Sequence, residues 1–146
     1  MRGAKVRGAR VRRASVLGAV LAAAVAVSAQ TLNDRRFTSA TIVPVASTGK
    51  TVIRTPGNTE VLARSATAVA LIRYAYELSD AEVLGAPPWA VTERYELRAK
   101  APVESSADHL KEMMRVLLAE RFHLEAHRDR WGKTLVIDRL ERPTTD

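Results

Sequence analysis

Apolar side chains recur along this chain with two periods, and the switches between them mark its elements. The clearest helical stripe is Leu110, Met113, Met114, Leu117 and Leu118, spaced i, i+3, i+4, i+7, i+8. That spacing predicts an amphipathic helix with one buried face. Ser105, with Asp108 three residues on, resembles a capping box at its start, Asp standing in for Glu or Gln. Beyond Phe122 the period drops to two. Leu124 and Ala126 alternate with His123, Glu125, His127 and Asp129, the pattern of a strand with one polar face.

Upstream, the stretch from Phe37 to Val45 is rich in β-branched residues and holds Pro44, so it reads as a first strand at a sheet edge. Thr51 to Arg54 and Glu60 to Arg64 read as two short strands joined by Pro56-Gly57-Asn58, a strong turn signal. Thr67 is the expected N-cap of a helix from Ala68 to about Leu78, with Ala68, Leu71, Ile72, Ala75 and Leu78 on its apolar face. Leu84 to Trp89 contains two adjacent prolines and is expected to be irregular. Tyr95 to Ala99 alternates again, as does the last strand, Thr134 to Leu140, which follows a turn at Trp131-Gly132-Lys133. The order predicts an α+β domain: a small, mostly antiparallel sheet with two helices packed on one face.

Composition changes this picture at the N-terminus. The 146 residues carry a formal charge of +7 and a pI near 10.4, which on its face suggests nucleic acid. Six of the 23 Lys and Arg lie within residues 1–29, which hold no acid; the other 17 face 16 Asp and Glu. A nearly neutral body offers no electrostatic footprint for a phosphate backbone, so nucleic acid is not an expected partner. The basic segment to Arg13, the apolar run from Val16 to Val27 and the small residues Val27-Ser28-Ala29 resemble a secretory signal peptide. The run is shorter than the roughly 20 residues that span a bilayer. Residues 1–29 are therefore read as an export signal, by the general or the twin-arginine route. Residues 30–146 are read as one extracytoplasmic (periplasmic or secreted) domain without a transmembrane helix. With no cysteine, that domain must be held by packing alone.

Several segments, in order, are similar to a soil-associated bacterial family of uncharacterised exported proteins. Phe37 to Pro44 resembles its "F-x-x-A-S-I-K-P" opening, Leu71 to Tyr76 its "L-I-x-x-A-Y" helix, and Leu84 to Trp89 its "I-x-G-G-P-x-W" loop. Tyr95 to Lys100 resembles "F-D-I-x-A-K", Met114 to His127 "M-L-x-x-L-L-A-E-R-F-x-L-x-x-H", and Leu135 to Pro143 "V-I-D-x-x-E-R-P". The resemblance implies an exported domain of unknown activity, attached in some relatives to membrane-embedded peptidase sensors of the β-lactam-receptor type. It carries over no catalytic residue. One departure stands out: the family's long middle section is missing, and Trp131-Gly132-Lys133 joins its neighbours directly. Either the two ends form a compact hairpin, or the chain is a shortened remnant without activity.

The candidate chemistry is sparse. His123 and His127 have the spacing of a helical metal pair, with His109 as a third candidate ligand for a metal-binding protein or hydrolase. On the expected strand, however, the two rings lie about 13 Å apart, too far to share one ion. No serine sits in a Gly-x-Ser-x-Gly elbow, so no catalytic residue, metal ligand or cofactor is assigned. Trp89 and Tyr95, with Tyr74 and Tyr76 near in sequence, are a candidate aromatic platform for a ligand; the alternative is that Trp89 plugs the core. The expected function is a non-enzymatic binding module of the cell envelope, whose partner is an envelope protein or a membrane peptidase sensor.

Overall fold

A computed structural model of the chain describes residues 35–145, and the export signal expected at 1–29 lies outside them. The elements run β1 (Ser39–Val45), β2 (Val52–Arg54), β3 (Glu60–Thr67), α1 (Ala68–Tyr76), β4 (Val83–Leu84), α2 (Trp89–Thr92), β5 (Arg94–Lys100), α3 (Ala107–Arg121), β6 (Glu125–Arg128) and β7 (Leu135–Arg139). The fold is α+β. Four strands form an antiparallel sheet in the order β1-β5-β3-β2. Instead of extending this sheet, the C-terminal strands build a second one, ordered β4-β7-β6, in which β4 runs parallel to β7.

Alternation decides which face of the large sheet is inside. Ile42, Val61, Ala63, Tyr95, Leu97 and Ala99 are buried, while Val43, Arg64, Glu96 and Arg98 between them are exposed. Onto the inner face pack α1, through Leu71, Ile72 and Ala75, and α3, through Leu110, Met113, Met114, Leu117 and Leu118. Phe122, Leu124, Leu135 and Ile137 belong to the same buried cluster, so both sheets share one core. Each large aliphatic side chain in it contributes about 1.5–3 kcal/mol by leaving water.

Local devices fix the joints. Thr67 caps α1, its hydroxyl accepting from the Ala70 N–H at 3.2 Å. The helix stops at Tyr76, short of Leu78, because Glu77 turns left-handed (φ 55°) and the Leu78 N–H closes onto the Arg73 carbonyl. Ser106, not Ser105, caps α3, accepting from the His109 N–H at 3.1 Å. Ser105 is held outside the helix, its hydroxyl donating to the Val103 carbonyl and its N–H to that of Asn58. The Pro-Pro segment was expected to be irregular up to Trp89; instead Trp89 opens the one-turn helix α2, with Pro88 as its N-cap.

The strand from Glu60 runs on to Thr67, past Arg64, because a bulge absorbs the break in alternation. Its register shifts between Ala63 and Ala66, and Ser65 adopts φ 53°. The Ser65 hydroxyl bonds Ser47 and the Gly49 carbonyl, and its carbonyl accepts from Arg94 at 2.7 Å. At the other end β6 and β7 form a hairpin, so the two alternating segments joined by Trp131-Gly132-Lys133 pair directly. The Asp129 carboxylate closes the turn by accepting the N–H groups of Lys133 and Thr134 at 2.8 and 3.1 Å.

Candidate functional site

The three histidines do not converge. His109 lies in the first turn of α3, 3.6 Å from Glu112. His123 precedes β6 with φ 51° and faces Glu141 at 3.8 Å. His127, on the exposed face of β6, shares a 2.7 Å hydrogen bond with Asp138 of β7. Each ring thus meets a different carboxylate. Among the described residues no group of three His, Cys, Asp or Glu side chains is arranged to hold a metal ion.

Trp89 and Tyr95 lie on either side of Glu93 but in different settings. Tyr95 is only 3 % exposed; its ring stands edge-on to Phe122, with centroids 5.9 Å apart and planes at 89°. Its hydroxyl donates to Glu93 at 3.0 Å, and Arg142 holds the same carboxylate at 3.0 Å. Burial, reinforced by the hydrogen bond to Glu93, pushes the phenol up to about 12. The Arg142 hydrogen bond, aided by that from Tyr95, holds Glu93 below its ordinary value. Trp89 is half-buried against the core, and the Arg142 guanidinium lies 5.4 Å from its ring centroid. The two rings therefore share no open surface. Tyr74 and Tyr76 lie on α1, near Lys111 and Arg115 respectively. Nothing in the sequence ties Arg142 to Glu93, 49 residues earlier, so this cluster was not legible there.

No described element covers the outer face of the four-stranded sheet. Alternation turns Thr41, Val43, Val52, Arg54, Leu62, Arg64, Glu96 and Arg98 away from the helices, and strand pairing sets them in rows. One row reads Thr41, Arg98, Leu62, Arg54 across β1, β5, β3 and β2. The next places Val43 opposite Glu96 and Arg64 opposite Val52. A shallow hollow of about 330 Å³ lies between β1 and β3, and a second of about 190 Å³ lies beside β2. Leu62 and Arg64 line both. Val43 and Val52 are exposed by 43 % and 38 %, so apolar surface reaches solvent on both flanks.

The charges on this face do not cancel. Arg54, Arg64, Arg98 and Lys100 stand against Glu60 and Glu96, and Arg98 is engaged with Glu60 at 3.4 Å. Arg54 and Arg64 make no ion pair among the described residues. Two unpaired guanidinium groups beside exposed valine and leucine form a cationic, partly apolar surface, suited to carboxylates carried on an apolar frame. A larger hollow of about 580 Å³ beside α1 also contains two arginines. There Arg94 and Arg73 donate to the carbonyls of Ser65 and Leu78.

Fold and surface together define a small α+β domain whose large sheet, among the described residues, is covered by helices on one face only. Within that class, residues 69–135, from α1 to the first residue of β7, match a family described as "Protein of unknown function (DUF3738)". No curated protein and no solved structure gives a match. Among the described residues no helix is long and apolar enough to cross a membrane.

Proposed function

We propose that this chain is an exported binding module of the bacterial cell envelope, without catalysis of its own, that docks an acidic protein surface on the open face of its four-stranded sheet. The observation that carries the reading is the pair Arg54 and Arg64, unpaired and flanking Leu62 on a face that no described element covers. Export is supported by the basic-then-apolar N-terminal segment. The resemblance to exported proteins of soil bacteria, some attached to membrane peptidase sensors, makes such a sensor the first partner to try.

A photo-crosslinking residue at position 43 tests this. In the native extracytoplasmic fraction it should give one discrete protein adduct, which the Arg54→Glu, Arg64→Glu double variant removes. The same residue at the exposed Glu112 position of α3 should not give it. An adduct indifferent to the charge reversal, or equally frequent from position 112, contradicts the reading.

A further inference from the structure

Trp131, at the tip of the β6–β7 hairpin, is the most exposed large apolar side chain among the described residues, at 68 %. Its setting is built. The Asp129 N–H donates to the Thr134 carbonyl and the Gly132 N–H to the Asp129 carbonyl, both at 2.9 Å. The Asp129 carboxylate is turned onto the N–H groups of Lys133 and Thr134. The one acid of the turn is thus engaged by the backbone, while its cations face out. Arg130 stacks on the indole, 4.2 Å from the ring centroid, and Lys133 is exposed beside it. Arg128 reaches back to the carbonyls of Gly132 and Tyr76.

We infer that this hairpin tip is a contact site for an anionic phospholipid surface, with Trp131 entering the headgroup layer and Arg130 and Lys133 held against the lipid phosphates. Indole rings settle at the membrane–water interface because they are apolar with one polar edge. A ring already held by a rigid turn loses little conformational freedom on entering it. Each cation near an anionic leaflet strengthens binding about fivefold. The shape of the tip favours lipid over a protein partner. It is convex, and a side chain added at Gly132 would meet nothing within 4 Å. A five-residue turn cannot supply the roughly 800 Å² per partner of a stable protein interface, whereas a soft lipid surface wraps a convex tip. The site is distinct from the open sheet face and would hold the domain at a membrane without a spanning helix.

Contact quenching of tryptophan by brominated lipid reads this directly in the processed chain recovered from the extracytoplasmic fraction, which on the export reading lacks the basic and apolar segment 1–29 that would itself bind anionic lipid. Vesicles of equimolar phosphatidylcholine and brominated phosphatidylglycerol should quench and blue-shift the emission. Trp131→Ala should abolish the effect, and Arg130→Gln with Lys133→Gln should weaken it by about twentyfold or more. Both variants should keep the parent melting temperature, because these side chains lie outside the core. Quenching that persists in Trp131→Ala, survives the charge variants, or is equally strong on pure brominated phosphatidylcholine overturns the inference. So does competition by soluble glycerol phosphate or duplex DNA at charge-matched concentration, which would mark a general anion site.

Discussion

At the residue scale, the meeting of Tyr95, Phe122, Glu93 and Arg142 shows how packing and polar chemistry divide between the ring and the hydroxyl of one side chain. Alternation placed Tyr95 on a strand, and its neighbours Leu97 and Ala99 share its buried side. What alternation could not show was the carboxylate–guanidinium pair over its hydroxyl, which exists only because the C-terminal segment returns to α2. Phe122→Ala should cost about 3–5 kcal/mol, read by chemical denaturation, because it removes a fully buried ring and leaves a cavity under both sheets. The pH dependence should be two-sided. Glu77, Glu93, Asp129 and Glu141 are held below their ordinary values, chiefly by hydrogen bonds from Lys111, Arg142, the Thr134 N–H and Arg139. Their stabilisation is complete above the ordinary carboxylate range, about pH 4, and is lost as pH falls through the lowered values. Tyr95 and Lys111 are shifted up, so their contribution is complete below the ordinary values of 10.0 and 10.5 and is lost as pH rises further. Melting temperature plotted against pH should therefore be flat in the middle and fall at both ends. A steep change near neutrality would contradict these pairings.

At the scale of elements, the periodic segments were readable and the joints were not. The stripe from Leu110 to Leu118 located α3 because five apolar residues cannot share a face by accident of any other period. Its start was misplaced by one residue, since adjacent serines offer the same hydroxyl and only backbone geometry selects Ser106. Ser106→Ala should cost about 1 kcal/mol, and Ser105→Ala clearly less, by parallel denaturant melts. Equal effects would restore Ser105 as the cap. Strand β4 escaped notice because two residues carry no period, and its pairing with β7 is long-range. Gly85 immediately after it adopts φ 83°, and a Cβ there would sit 2.9 Å from the Ile137 carbonyl oxygen. Gly85→Ala is expected to destabilise and to unpair β4, seen as faster amide exchange in β7. The hairpin between His127 and Asp138 was anticipated from two alternating ends and a short turn. Its stabilisation by Asp129 was not, because Asp129 was assigned only to a polar strand face.

At the scale of the molecule, the class was legible and the surface was not. Helix stripes and alternating strands imply an α+β domain in any arrangement that buries both, and this one does. Sequence order alone could not say that the C-terminal strands form a separate sheet, nor which sheet face remains open, because both depend on strand neighbours far apart in the chain. The open face and its unpaired Arg54 and Arg64 follow from that order, and the proposed binding role follows from them. Export belongs to this scale too. Fused to an alkaline phosphatase that is active only outside the cytoplasm, residues 1–40 should give activity, and deletion of Val16 to Val27 should abolish it; an inactive fusion contradicts the export reading. All of these roles require that a chain whose α3–β6 segment leads straight into β7 fold as one unit. Equilibrium unfolding of the full chain in guanidinium, followed by both tryptophan emission and far-ultraviolet circular dichroism, tests that most directly. A shared core under both sheets predicts one cooperative transition, with coincident midpoints for tryptophan emission and the backbone. Separate midpoints, or a gradual change with no transition, would contradict a single folded domain.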